Sequence, residues 1–411
     1  MTTTESPSSR NEWRLATPGA AGWSRTVRRD DPRKLFVVSS DCHANEPFDY
    51  LAEYVEPVYR DRIPRREVLD DGSEWLLTEG NSPQRVKGPT GVRPPAGAAG
   101  SRMDAEDVLR NTAGRDVEQR LLDQDADGVD VELVFPNKGL LCWATPDPVF
   151  GMAMCRAWNR WAYDAYGPHG WHGGRTRPLA CIAAGDLAGA LAEVRWAAAH
   201  DWVGLCLGNA PVYGPKASDK PEYNDPLFEP LWAAIEEAGL PITFHVSTGR
   251  DPRAVRGEGG AVVNYVCHSM ETTIEPLVQL IASGVLERHP GLRVGLVESG
   301  IGFVPWLLET MDWAHRAHHF WVRPELAEPP STYFRRQCFA TFQEDHAGLE
   351  AAERHDLVDN LLWANDYPHH EGSWPHSAAS VERQMGDLAE SSRAKILGLN
   401  AARIFDLVVT R

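Results

Sequence analysis

The chain has 411 residues, 43% of them hydrophobic, enough to bury a large core either as one barrel with insertions or as two domains. Its 58 acidic against 41 basic residues give a formal charge of −17, which works against a nucleic-acid backbone or an anionic lipid surface as partner. A small-molecule or peptide-like substrate is easier to reconcile with that field, and the charge serves solubility equally well.

The opening MTTTESPSSRNEWR has no apolar leader, and residues 1–33 are polar and without periodicity, so they read as a flexible N-terminal arm ahead of one domain over 34–411. From Leu35 onward, short apolar runs alternate with longer helical patterns. The runs are LFVVSSD (35–41), VELVFP (131–136), LACIAA (179–184), VGLCLG (203–208), ITFHVS (242–247), RVGLVES (293–299), CFATF (338–342) and LLWAND (361–366). Eight strands separated by helices predict a (β/α)8 TIM barrel. Helices are expected over 117–125, 148–166, 187–199, 226–238, 272–287, 304–319 and 348–355, each with apolar residues at three- and four-residue spacing.

The interval between the first two runs is too long for a simple connection. Residues 61–104 hold a hairpin-like EWLLTEG and then the Pro/Gly-rich PTGVRPPAGAAG. Following strand one, this insertion emerges on the catalytic face, where it reads as a lid or, failing that, as a surface loop. The seven dispersed cysteines contain no C-x-x-C pair and read as free thiols of a reducing compartment. No run approaches the ~18 apolar residues of a membrane span. The protein is therefore expected to be soluble and cytoplasmic.

Asp41 and His43 stand two apart at the end of the first strand, so alternation points both into the barrel mouth, where a carboxylate and an imidazole can share a cation. His245 lies in the fifth strand and Asp366 closes the eighth. A hydrogen-bonded core histidine and a helix-capping aspartate are the plain alternatives. Recurrence of this strand-end position in three runs favours the site, because active sites of this fold gather there.

Together with SSDCHANEP (39–47), PLVQLIASGVLERHPGLRVGLVESGIGFVPWLLE (276–309), TFQED (341–345) and NDYPHHEGSWPHS (365–377), these residues resemble the amidohydrolase-related family that includes aminocarboxymuconate-semialdehyde decarboxylase. The resemblance runs from about Leu35 to Phe405. It implies Asp41, His43 and His245 as metal ligands, with Asp366 both ligand and proton carrier. Such a donor set suits one divalent ion, Zn2+ first, with Mn2+ or Fe2+ as alternatives. Several family decarboxylases carry a histidine after strand six where this chain has Glu298, so Glu298 is either an acid/base or a structural glutamate. His369, Glu371 and His376 follow Asp366 closely and are placed to orient it or meet substrate, and His268 is a further pocket candidate.

No G-x-S-x-G elbow, P-loop or G-x-G-x-x-G fingerprint stands in a supporting context. The leading expectation is hydrolysis, a metal-activated water attacking a carbonyl or C–N bond of the amide or amidine type, with Asp366 taking the proton and Asp366 or Glu298 serving the leaving group. The alternative is a carboxy-lyase acting on an aromatic or unsaturated acid, for which Arg250 is the nearest anion-binding candidate. The fifteen tryptophans and the arm suggest a homodimer.

Overall fold

The computed structural model describes residues 20–47, 49–80, 82–87, 105–167, 170–214, 219–248, 258–269 and 271–409. Strand β1 (Val38–His43) is buried at all six positions, although Ser39, Ser40, Asp41 and His43 are polar. Side chains of that kind persist in a fully buried strand only with partners, so the sequence already marks this strand's end as a polar centre.

Three short strands, β2 (Arg65–Val68), β3 (Glu74–Leu77) and β4 (Gln84–Lys87), follow as an antiparallel sheet in that order. EWLL is thus the central strand of a three-stranded sheet rather than half of a hairpin. Arg62 ties the sheet down, reaching Glu79 at 2.7 Å and Asp147 at 2.9 Å, and Thr145 donates to Glu79 at 2.8 Å. The segment 89–100 of the expected lid lies outside the described residues.

The remaining strands are parallel: β5 (Val131–Phe135), β6 (Thr176–Pro178), β7 (Ala180–Ile182), β8 (Leu205–Leu207), β9 (Ile242–His245), β10 (Val294–Val297), β11 (Cys338–Phe342) and β12 (Leu361–Trp363). They form two pieces, β1–β5–β6 and β7–β8–β9–β10–β11–β12. β6 and β7 are two halves of one strand that changes neighbours. Pro178 has no N–H to give, Leu179 N donates to Val134 O, and Ala180 N donates to Gly204 O, both at 3.0 Å. The other seam closes where Asp366 N donates to Asp41 O at 3.0 Å and His43 N to Tyr367 O at 2.6 Å. The result is a closed (β/α)8 barrel, as expected; its third strand starts at Thr176, ahead of the LACIAA run.

The outer helices are α1 (Ala105–Thr112), α2 (Val117–Asp127), α3 (Pro148–Tyr166), α4 (Leu187–Ala199), α5 (Glu229–Ala238), α6 (Glu271–Ala282), α7 (Val304–Ala317), α8 (Pro330–Gln337), α9 (His346–Ala352) and α10 (Ser377–Gln384). Local chemistry starts them: Asp116, Asp147, Asp186 and Asp345 each accept from the first-turn backbone. Gly128 ends α2 with φ +83°, and a Cβ there would lie 2.4 Å from Val27 O.

That contact bears on the expected arm. Of residues 1–33, those from 20 onward are described, and they lie against the barrel: Val27 is buried, Leu35 N donates to Thr26 O, Arg28 pairs with Glu382, and Arg393 stacks on Trp23. No helix among the described residues is long and apolar enough to cross a membrane.

Candidate metal centre

Barrel closure brings the ends of β1, β9, β10 and β12 to one mouth. Alternation along β1 turns Asp41 and His43 inward, His245 ends β9, Glu298 follows β10, and Asp366 follows β12; none is more than 6% exposed. Glu298 and Asp366 have left-handed backbones, φ 62° and 52°, a conformation that side-chain-bearing residues hold only where surroundings impose it. Here the imposing bonds are Glu298 N to Thr341 Oγ1 and Asp366 N to Asp41 O, both 3.0 Å. Gly372 then passes so close that a Cβ would meet Asn365 O at 2.1 Å.

One donor atom from each of Asp41, His43, His245 and Glu298 lies within 4.8 Å of all the others. His43 Nε2 and His245 Nε2 stand 3.4 and 3.3 Å from Asp41 Oδ1, and Glu298 Oε2 is 3.6 Å from His245 Nε2. The outer ring nitrogens are spoken for: His43 Nδ1 donates to Pro136 O at 3.0 Å and His245 Nδ1 to Val246 O at 2.8 Å. Both Nε2 atoms therefore present lone pairs inward, the tautomer a metal ligand needs. Gln343, just past β11, donates to Asp41 Oδ2 at 3.3 Å.

Asp366 occupies the adjoining side of the mouth. Its Oδ1 is 3.4 Å from His43 Nε2 and 3.2 Å from His369 Nδ1, and the His369 ring stacks on His43 at 3.9 Å. Asp366 also groups with Glu298 and Glu371. Of the four expected ligands, three thus fall with Glu298 in one cluster, while Asp366 adjoins that cluster at two of its members, His43 and Glu298.

The electrostatics fit a cation. Burial, reinforced by His369, lowers His43 to about 4, so its ring is neutral at pH 7. Burial alone would raise Asp41, but His245 and His43 outweigh it and hold this carboxyl below the usual range. Burial, then Asp366, Glu371 and Asp41, push Glu298 well above the usual carboxylate range. His43 Nε2 is buried without a hydrogen-bond partner, and several carboxylates crowd one dry mouth; a divalent ion among them relieves both. Two imidazoles and two carboxylates form an N/O set for such an ion.

The other expected residues divide. His369 is at the site. His376 lies 3.4 Å from Glu106 instead and braces the loop rather than the cluster. Arg250 lies outside the described residues, as does the side chain of His268, whose backbone belongs to the π-helical segment Asn264–Ser269. Sequence reading missed Gln343, although it shares the strand-end position of the others. It also missed Arg120, whose guanidinium pairs with Glu132 inside the wall and donates to His43 O at 2.7 Å. Asp345 of TFQED proves structural: it accepts from Ile301 N and Gly302 N, both at 2.6 Å, and so fixes the turn after Glu298.

A family model described as amidohydrolase matches residues 40–407. Among curated proteins, gamma-resorcylate decarboxylase of Rhodococcus jostii is 28% identical over 215 residues, 49% of this chain and 57% of that one. The gamma-resorcylate decarboxylase of a Rhizobium species is 26% identical over 216 residues, 49% and 58% of the two chains. These matches span about half of the chain and little more than half of the relatives' length. Among solved structures, an amidohydrolase from Mycobacterium avium subsp. paratuberculosis superposes with TM-score 0.72 at 22% identity, covering 92% of this chain and 99% of its own. The 5-carboxyvanillate decarboxylase of Sphingomonas paucimobilis gives 0.63 at 22%, covering 91% and 100%. Both likenesses carry the barrel fold. The expectation of hydrolysis is corrected by these names: the relatives that carry an activity in their names are decarboxylases, and a metal-held mouth serves carbon–carbon cleavage as readily as attack by water.

Proposed function

We propose that the chain, which belongs to the amidohydrolase family over residues 40–407, is a metal-dependent carboxy-lyase that removes CO2 without oxidation from a hydroxy-substituted aromatic acid. The observation that carries this reading is the division of the mouth. Asp41, His43, His245 and Glu298 form one compact donor group, while Asp366 stands beside it with His369 at its back. The substrate class is drawn from the relatives, named for gamma-resorcylate and 5-carboxyvanillate.

In this reading the four donors hold one divalent ion, which when bound supplies positive charge for the oxygens of a carboxylate and its neighbouring hydroxyl. Mn2+ is the proposed ion and Zn2+ its competitor, since two barrel neighbours are described with bound manganese and the mixed N/O set accepts either. Asp366 delivers its proton to the ring carbon that bears the carboxylate. The carbon–carbon pair then returns to the ring as CO2 leaves, and Asp366 regains a proton from solvent. His369 steadies Asp366 during both transfers. In the same reading the described part of the insertion after β1, strands β2, β3 and β4, sets substrate size. Self-association as a homodimer belongs to the same reading, on the strength of an exposed aromatic band, Trp306, Trp313, Phe320 and Trp321.

The test is CO2 release by metal-stripped and Mn2+-reconstituted protein from 2,6-dihydroxybenzoate, a substrate named for one barrel neighbour, and related hydroxybenzoates. Release should require the ion. Asp366→Asn should lower kcat by about 10²- to 10⁴-fold, the span of general acid catalysis, with bound metal retained. Glu298→Gln should instead lower metal content. A blank panel with fully loaded protein, or undiminished turnover by Asp366→Asn, defeats the assignment.

A further inference from the structure

The end of the barrel opposite the mouth holds a cleft of about 340 Å3, within the range of small-ligand pockets. Its walls come from segments that enter the strands and from the end of the chain. Arg293 precedes β10, Arg335 and Arg336 close α8 ahead of β11, Asp359 and Asn360 lead into β12, and Arg403 belongs to the short helix Asn400–Ile404. Four guanidiniums therefore line one concavity. In a chain of net charge −17 this gathering of positive charge runs against the average, and like charges collected in a recess repel unless an anion sits among them.

The fold orients these guanidiniums without neutralising them. Arg293 Nη1 donates to Leu292 O at 2.9 Å and Gly291 O at 3.0 Å, Arg335 Nη2 to His355 O at 3.0 Å, and Arg403 Nη2 to Asp359 O at 2.8 Å. Arg336 Nε donates to Gln337 Oε1 at 2.9 Å, and its guanidinium lies over the Tyr333 ring. All of these acceptors are uncharged, and each arginine keeps further N–H donors. Among the described residues no carboxylate forms an ion pair with any of the four. Asp359, the carboxylate of the lining, is matched instead by Lys395 at 2.8 Å. Glu287, the acid whose field reaches Arg336, already accepts from Tyr333 Oη and Ala327 N.

We infer that this cleft binds a small molecule carrying two phosphate groups. Two phosphoryl groups hold about three to four negative charges at neutral pH, a match for four guanidiniums, and each planar fork can take two oxygens of one group. A single carboxylate would leave most of that positive charge uncompensated. The cleft's volume and the chain's overall charge both work against a nucleic-acid strand. The recognising chemistry is the same for joined phosphates, as in a nucleoside diphosphate, and for phosphates on separate carbons, as in a sugar bisphosphate. Because the strands run from this cleft toward the donor cluster at their far ends, the inference is independent of the carboxy-lyase reading.

The test is titration calorimetry of metal-loaded protein, freed of excess ion, with adenosine 5′-diphosphate, fructose 1,6-bisphosphate and inorganic phosphate at one fixed ionic strength. At least one of the two-phosphate probes should bind one per chain, about tenfold or more tighter than inorganic phosphate. Changing the exposed pair together, Arg335→Gln with Arg403→Gln, should weaken that binding by about 10²-fold or more, the worth of two charge-assisted contacts. Metal content and circular dichroism should not move, which separates loss of the cleft from loss of the fold. Arg335→Lys with Arg403→Lys, which keeps the charge and loses the fork, should fall between the two and replaces the glutamine pair should that pair fail to fold. Two-phosphate probes that bind no tighter than inorganic phosphate overturn the inference. Tight binding that survives both pairs of changes overturns it as well, since the anion would then sit elsewhere, on the ion at the mouth for example.

Discussion

His43 is gripped from three directions: Pro136 O fixes its ring, His369 stacks on its face, and Arg120 holds its carbonyl. Arg120 is fully buried, paired with Glu132 and lying over the Tyr367 ring at 4.8 Å, so one guanidinium braces both sides of the barrel seam. Arg120→Leu should cost about 3–5 kcal/mol in chemical denaturation, because Glu132 would be left charged and alone in the wall. Adding Glu132→Leu should recover part of the loss; a double variant less stable than Arg120→Leu would show that the pair itself is not the source. The sequence made the candidate mouth residues legible and the brace illegible for a physical reason. Asp41, His43, His245 and Asp366 declare themselves by position at strand ends, where polar residues interrupt buried runs. Arg120 sits in the polar-looking EQRLLDQD of α2, where an arginine reads as solvated, and its burial exists only once β5 presents Glu132. Glu298 was visible as a carboxylate in the right place, but whether it completes the donor set depends on a distance to His245 that no spacing encodes.

Elements were read most securely where periodicity was strong and unbroken. Helices α3 and α4 have the expected bounds, and β11 spans the CFATF run. The divided strand β6–β7 was half missed because TRP looks like a turn, and only its two different neighbours reveal it as strand. The sheet of β2, β3 and β4 shows how weakly short polar strands signal: all four β2 positions are exposed. Its attachment is electrostatic and should be sensitive to acid. Arg62, then partial burial and Thr145, set the balance at Glu79, which lies below its usual value of 4.5. Asp147, where burial is outweighed by the backbone of Phe150 and by Arg62, also lies below its usual 3.8. Both folded values are depressed, so the bonding is intact above the free carboxylate range and is lost as pH falls through the depressed values. Hydrogen exchange over residues 65–80 should therefore quicken below about pH 4, ahead of the barrel strands. Arg62→Ala should show the same exchange at neutral pH. Unchanged protection in both would mean that packing, not charge, holds the sheet.

At the scale of the molecule, eight apolar runs were enough to foresee ring closure, because a parallel sheet of that many strands with intervening helices has few other ways to hide its edges. Whether the barrel stands alone was not legible, since exposure is a property of the finished surface. Trp306, Trp313, Phe320 and Trp321 are each more than half exposed along α7 and the turn beyond it. Four such side chains present roughly 400–600 Å2, a large share of the ~800 Å2 per partner of a standard interface. Glu309 and Arg316 flank Trp313 on the same helix, so a second copy laid antiparallel would meet opposite charge on both sides. Light scattering should give the mass of two chains, and Trp313→Glu the mass of one with metal content preserved; a single-chain mass before mutation would assign the band to another partner. The seam between β12 and β1 carries a last consequence. The hydrogen bonds that position His43 and Asp366 join residues separated by nearly the whole polypeptide, Asp41 to Asp366 and His43 to Tyr367. A ribosome that has translated only through β11 has made every histidine and carboxylate of the donor group but not the staple that squares them. The squaring of the mouth is thus deferred until β12 and Tyr367 have been made.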